Sequence, residues 1–205
     1  MRYHQLGSIP AKRHTQFRGQ NGDGRLLVEE VMGYEGFSGN ESILYHLQSP
    51  CRIKEAAEFE PIEHEEWVPD AHVHRLTNTA GLEPEGDWLS GRRVLMWNAD
   101  LEMAICKPVE DREGFYRDGE GDEVFFVCEG SGTLDSVFGS LAFREHDYVV
   151  VPRGTTYRFA LDDGPQTWLV MHTPGEICDL ADVEACVALI AAFAGRLGPD
   201  TDFAG

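Results

Sequence analysis

Between residues 92 and 172 the chain alternates short apolar runs with turn residues. "RVLMWNADLEMAICKP" predicts two strands joined by a turn at 98–100. Six further runs, each about the length of a strand, follow: "EVFFVC", "TLDSVF", "LAF", "YVVV", "TYRFAL" and "TWLVMH". Turn residues separate them at 130–132, 139–140, 146–147 and 152–154. Evenly spaced strands with glycine-containing turns are typical of antiparallel proteins, so the pattern predicts an all-β, jelly-roll barrel rather than a helical or βαβ fold.

The apolar period changes near the end of the chain. Apolar residues recur there at helical spacing: Leu180, Val183, Val187, Ile190, Phe193 or Ala194, and Leu197. Asp179 can cap the N-terminus of such a helix, and Gly198 can end it. The sequence therefore predicts one C-terminal α-helix over 179–197, which we expect to dock on the barrel or on a partner subunit.

The N-terminal part is more polar. Residues 1–40 are rich in glycine and predict an extended arm with one or two strands, and "SILYH" at 42–46 predicts another strand. The acidic stretch 53–70 predicts an exposed connection that Trp67 anchors to the core. We therefore divide the chain into an extended segment at 1–91 that packs on the barrel, the barrel at 92–177, and the helix and tail at 178–205.

The charge of the chain excludes some partners. The formal net charge is -19 and the sequence pI is about 4.6, so nucleic acid and anionic membrane surfaces are not expected to bind. No run approaches the apolar length of a membrane span, and the N-terminus has no apolar signal core. The five cysteines are widely spaced and odd in number, which predicts reduced thiols and a cytoplasmic protein.

The stretch "DGEGDEVFFVCEG" ends like the first metal-binding motif of the cupins. Glu123 and Gly130 have the motif's glutamate-to-glycine spacing, whereas its two histidine positions fall on Tyr116 and Asp118, or on Arg117 and Gly119 in a second alignment: neither pair contains a histidine. In the second motif Pro152 and Gly154 fit, and the histidine position is Tyr157. The spacing thus predicts a degenerate cupin barrel that binds no metal.

Other residues offer weaker metal sites. His72 and His74 alternate as two ligands on one face of a strand would, but no glutamate follows at cupin spacing, so an exposed or hydrogen-bonded pair is the preferred explanation. With Glu123 they are the alternative metal ligands. Asp118, Glu120, Asp122 and Glu123 could bind a hard cation, but an exposed acidic turn is the preferred explanation. His146 and Asp147 resemble a catalytic dyad, but a hairpin turn is expected there. Cys128 is expected to be an inert thiol in an apolar strand.

Three segments together resemble the homogentisate 1,2-dioxygenase family, most closely its bacterial branch. They are "LGSIPAKRHTQFRG", "LLVEEVMGYEGFSGNESILYH" and "DGEGDEVFFVCEGSGTLDSVFGSLAFREHDYVVVPRGTTYRF". The resemblance covers about residues 1–177. It implies a protein of tyrosine and phenylalanine catabolism with two cupin domains, of which the N-terminal one has no metal ligands. The C-terminal one holds Fe(II) through two histidines and a carboxylate and opens the ring of homogentisate with O2 to give maleylacetoacetate.

The resemblance also bears on what this chain alone can do. No position here matches the iron ligands of the family, so we expect no catalytic residue, no bound cofactor and no activity in this chain, which corresponds to the N-terminal half. Glu29 matches a family glutamate that reaches toward the active site of a neighbouring subunit, although an ordinary exposed glutamate is the alternative. Tyr157, if it faces inward, could contact a ligand. The implied partners are further copies of the chain or a C-terminal catalytic cupin.

Two other functions remain open at this point. The chain could be a standalone, metal-free cupin that binds a small aromatic or acidic ligand, or a structural module that oligomerises through its C-terminal helix. Aromatic residues that could line a ligand pocket are Phe125, Phe126, Phe138, Tyr148, Tyr157 and Trp168. An ordinary packed core would use the same residues.

Overall fold

A computed structural model describes residues 17–19, 24–35, 38–50, 53–56, 64, 76–175 and 177 of the chain. The chain divides into two compact units, residues 1–67 and 68–205. The predicted helix at 179–197, the anchor Trp67 and the pair His72 and His74 lie outside the described residues. None of the described residues belongs to a helix with the length and apolar character of a bilayer-spanning segment.

The first unit contains an antiparallel hairpin. Strand β1 (Val28–Glu35) pairs with β2 (Ser38–His46), and the register shifts by a bulge near the turn. The strands follow the sequence prediction for "SILYH" and for a strand in the N-terminal arm. Exposed apolar side chains such as Val31 and Ile43 share one face of this hairpin.

The second unit contains a short 3-10 turn (Thr79–Gly81) and then two sheets. Its strands are β3 (Arg92–Trp97), β4 (Glu102–Cys106), β5 (Tyr116–Arg117), β6 (Asp122–Glu129), β7 (Gly132–Ser136), β8 (Gly139–Phe143), β9 (Tyr148–Val151), β10 (Thr156–Leu161) and β11 (Thr167–Thr173). One sheet has the order β3-β4-β11-β6-β9, and the other has the order β5-β10-β7-β8. Each run that the sequence analysis assigned to a strand forms one, and the two-residue β5 was not predicted.

The pairing of these strands defines the fold. From β4 onward the first strand pairs with the last, β4 with β11, and the pairs β5–β10, β6–β9 and β7–β8 nest inside it, all antiparallel. This nested pairing across two sheets is the topology of an eight-stranded jelly roll. The predicted all-β, jelly-roll architecture is therefore confirmed, with β3 as an additional edge strand.

Alternate residues of the strands fill the space between the sheets. Aromatic side chains dominate this core, and many of their ring contacts are edge-to-face, a favourable geometry for aromatic pairs. The buried apolar residues include Trp88, Phe125, Val127, Phe143, Val149, Val151, Tyr157, Phe159, Trp168 and Val170.

The turn at 130–132 shows why a glycine follows β6. Gly130 has φ of 105°, and a Cβ atom there would collide with the side chain of Gln166. The buried Gln166 amide donates to the carbonyls of Ser131 and Asp162, while its oxygen accepts from the indole N–H of Trp168. The glycine thus leaves room for a side chain that joins three segments of the barrel.

Candidate functional site

The structure brings the four residues at the ligand positions of the first alignment to one end of the barrel. Tyr116 lies on β5 and pairs in register with Tyr157 on β10, and their rings are 5.8 Å apart. Asp118 follows β5, and Glu123 lies on β6. The spacing of the motifs therefore selects four residues that lie close together in the structure, although none of the four is a histidine.

Glu123 and Tyr157 form the centre of the site. The Tyr157 hydroxyl donates to Oε2 of Glu123 at 2.5 Å, and both residues are buried, with 0% and 1% exposure. A hydrogen bond to a carboxylate is shorter and stronger than one between neutral groups. The phenol thus helps to hold an ionised carboxylate inside the barrel.

Arg92 supplies the positive charge that balances this carboxylate. It lies at the start of β3, and its Nη1 is 2.7 Å from Oε1 of Glu123. Its Nε donates to the backbone carbonyl of Trp88, and its guanidinium carbon lies 5.7 Å and 5.4 Å from the ring centres of Trp88 and Phe125. The guanidinium is therefore held by a carboxylate, a carbonyl and two aromatic rings.

The pKa shifts follow from this arrangement. Burial raises the pKa of Tyr157 well above its ordinary value, and the charge of Glu123 raises it further. Burial also raises the pKa of Tyr116, to about 12, with a further contribution from Asp118. Burial would lower the pKa of Arg92, but the attraction of Glu123 outweighs it and the pKa rises. At neutral pH both phenols are therefore neutral and the Arg92 guanidinium is charged.

A second ion pair lies beside the first. Nε2 of His172, on β11, is 3.2 Å from Oδ2 of Asp118, and His172 pairs in register with Glu123. Burial alone would raise the pKa of Asp118, but the contact with His172 and hydrogen bonds from the backbone N–H groups of Glu120 and Gly121 lower it to about 2. The contact with the Asp118 carboxylate in turn raises the pKa of His172.

Sequence reasoning missed Arg92 and His172. His172 follows the inward-facing Trp168 and Val170 at period two, so the strand pattern alone could have placed it on the inner face. Arg92 gave a weaker signal, because it is one of two consecutive arginines before an apolar run.

The metal site usual for a cupin can be tested against these residues. Its carboxylate, Glu123, is engaged by a guanidinium and a phenol, and Asp118 is engaged by His172. Tyr116 and Tyr157 stay protonated at neutral pH, so neither is a ready metal ligand. Within the described part of the chain no group of three or more His, Cys, Asp and Glu side chains could hold a metal ion. The side chains at this position therefore do not fit the metal ion that a cupin usually binds there.

Other candidates from the sequence lie elsewhere. Glu29 is exposed on β1 opposite Tyr45, whose pKa is raised by local desolvation and then by the Glu29 carboxylate. His146 is exposed at a turn with φ of 71°, as predicted for a hairpin tip. Cys128 is half-buried, and burial raises the pKa of its thiol.

The aromatic residues considered as a pocket lining do not form one. Phe125, Tyr157 and Trp168 pack in the core through ring contacts, and Phe126 packs on Tyr148 with ring centres 4.6 Å apart. Phe138 is 55% exposed. The first three residues help to fill the barrel interior, whereas Phe126, Tyr148 and Phe138 lie outside the buried core.

A cavity of about 250 Å³ lies at the turn between β10 and β11, at the opposite end of those strands from Tyr157 and His172. Its lining is acidic and comprises Pro108, Val109, Glu110, Asp111, Leu161, Asp162, Asp163, Gly164 and Gln166. Two of these carboxylates already accept hydrogen bonds within the fold, Asp111 from the backbone of Leu161 and Asp162 from Ser131.

Comparison with known proteins gives relatives of the chain. A protein of Saccharolobus solfataricus named "Putative dioxygenase SSO1533" is 37% identical over 169 residues, and the match covers 82% of this chain and 43% of that protein. Homogentisate 1,2-dioxygenase of Emericella nidulans is 26% identical over 151 residues, covering 72% of this chain and 30% of that protein. The chain has a cupin-type fold and is similar in sequence to part of two proteins named as dioxygenases. Its matches span less than half the length of either relative, and no family model matches it.

Solved structures with similar folds are also known. KdgF from a Halomonas species aligns with a TM-score of 0.41 and 15% identity, over 48% of this chain and 94% of that one. A cupin-2 domain containing protein from Shewanella frigidimarina aligns with a TM-score of 0.38 and 17% identity, over 43% of this chain and 83% of that one.

Proposed function

We propose that this chain is a homogentisate 1,2-dioxygenase-type protein of tyrosine and phenylalanine catabolism, and that its barrel is the non-catalytic one. The observation that carries the proposal is the sequence match to two dioxygenase-named relatives over 82% and 72% of the chain, one of them named homogentisate 1,2-dioxygenase. In this proposal the Fe(II)- and O2-dependent opening of homogentisate to maleylacetoacetate takes place on a second barrel.

The barrel centre supports this division of roles. Ring opening of this kind needs a metal with open positions for substrate and oxygen. The groups of this barrel that could serve as ligands are instead engaged with one another, Glu123 with Arg92 and Tyr157, and Asp118 with His172. What remains for the barrel is a structural contribution to an assembly in the cytoplasm, either with further copies of the chain or with the catalytic barrel.

The pathway can be tested genetically in the organism that encodes the chain. Deleting the gene and feeding tyrosine should cause homogentisate to accumulate in the medium, as measured by liquid chromatography and mass spectrometry. Restoring the gene should remove the homogentisate. Unchanged homogentisate in the deletion strain would refute the proposed function.

The division of roles needs a separate experiment on the purified chain. After incubation with Fe(II), the chain should hold no stoichiometric iron and should consume no oxygen with homogentisate. Oxygen uptake by the chain alone, in proportion to its iron content, would show that the catalytic centre lies within this sequence.

A further inference from the structure

We propose that the barrel centre is a site for an organic cation, and that the chain fills it with its own Arg92 guanidinium. The inference goes beyond the proposed function, because it concerns what the centre binds and not which pathway the protein serves. It starts from the disagreement between a cupin barrel, whose centre usually holds a metal, and the residues found there.

The first step is the need for a cation. Glu123 is 1% exposed, and an ionised carboxylate inside a protein is stable only if it is paired and hydrogen-bonded. Tyr157 gives a hydrogen bond but no charge. The positive charge comes from Arg92, whose side chain is 12% exposed and whose Nη1 is 2.7 Å from the carboxylate.

The second step is the chemical class of that cation. Beyond Glu123, the site offers the ring of Trp88 and the ring of Phe125, at 5.7 Å and 5.4 Å from the guanidinium carbon. Aromatic faces and a carboxylate suit a planar, weakly hydrated cation, whereas a transition metal takes imidazole, thiolate or several oxygen ligands. The site therefore selects a guanidinium or an amidinium.

The third step is that Arg92 is also held from its own segment. Its Nε donates to the carbonyl of Trp88, four residues earlier, at 3.1 Å. The loop before β3 thus fixes both the guanidinium and one of the rings that cover it. The occupant of the site is therefore part of the chain itself.

Chemical rescue tests this inference. Arg92→Ala leaves the carboxylate and the rings without their cation, so its melting temperature should fall well below that of the wild type. Millimolar ethylguanidinium should bind in the space left and recover a large part of that loss, with a saturable dose response. Arg93→Ala is the matched control, because the neighbouring Arg93 is exposed and its ion pair among the described residues is with the exposed Glu85. It should lose little stability and show no rescue.

Removal of the carboxylate supplies the decisive comparison. In the double variant Arg92→Ala/Glu123→Gln, ethylguanidinium should not raise the melting temperature. No rescue of the single variant, or equal rescue of the double variant, would overturn the proposal. Because this experiment measures melting temperature, a negative result here can be distinguished from a negative result in the homogentisate experiment that tests the proposed function.

A second pair of variants applies if Arg92→Ala does not fold. Arg92→Met/Glu123→Gln removes both charges, and it should melt higher than either single variant, because an unpaired buried charge is worse than none. Losses that simply add would overturn the proposal, since they would mean that the two side chains do not depend on each other.

Discussion

Removing one oxygen atom from Tyr157 probes the buried network with the least disturbance to packing. Tyr157→Phe keeps the ring, which is fully buried and lies 5.0 Å from the ring of Trp88, but it removes the donor that lies 2.5 Å from Glu123. Glu123 then keeps Arg92 as its charged partner and loses a charge-assisted hydrogen bond. Such a bond contributes about 1.5–3 kcal/mol, so we expect a loss near the middle of that range.

The loss can be measured by urea unfolding, followed by the fluorescence of the buried Trp88 and Trp168. For a chain of this size, each kcal/mol corresponds to about 2–4 °C in melting temperature, so thermal unfolding should shift by several degrees. The matched control is Tyr116→Phe, whose hydroxyl lies 3.4 Å from Asp118 and which is only partly buried. It should cost well under about 1 kcal/mol, because so long a hydrogen bond is weak.

The comparison between the two tyrosines decides the matter. Equal losses in Tyr157→Phe and Tyr116→Phe, or no loss in either, would refute the claim that a phenol stabilises a buried, ionised carboxylate at the barrel centre. A loss in Tyr157→Phe alone fits the geometry.

Three further predictions follow from the barrel. The pKa of His172 is raised and that of Asp118 is lowered to about 2, so their pair stabilises the fold most between about pH 4 and 6. The difference in unfolding free energy between wild type and His172→Gln should shrink as the pH rises through the raised pKa of His172. It should also shrink as the pH falls from 3.8 toward 2. Gly130→Ala should lower the melting temperature more than Gly139→Ala, because both positions have positive φ but only the first Cβ would collide with a side chain; equal losses would leave strain as the sole cause. Burial raises the pKa of the Cys106 thiol to about 12. In a variant that retains Cys106 as its one cysteine, this thiol should therefore react with a thiol reagent only after urea unfolding. Rapid labelling of the folded chain would contradict the burial of Cys106.

Much of the fold could be predicted from the sequence because it depends on local patterns. Alternating apolar residues give each strand its inward face, and glycines mark the turns, as at Gly130. The two-residue β5 escaped prediction because so short a strand has no period to detect. Its residues, Tyr116 and Arg117, are identified as a strand only by their pairing with β10.

The candidate site was predicted in part for a related reason. The motif spacing located Tyr116, Asp118, Glu123 and Tyr157, because the positions of ligand residues in a barrel follow from strand register. It could not show that Arg92 reaches Glu123, since that contact joins strands far apart in sequence through a long side chain. Periodicity gives the face of a residue and says nothing about how far its side chain extends.

The most direct test of the account is a diffraction experiment on crystals of the chain grown with Mn(II), Zn(II) or Fe(II), with data collected at the absorption edge of each metal. The account predicts electron density for the Arg92 guanidinium beside Glu123 and no anomalous peak at the barrel centre. An anomalous peak about 2.0–2.2 Å from a Glu123 oxygen, with the guanidinium displaced, would contradict it.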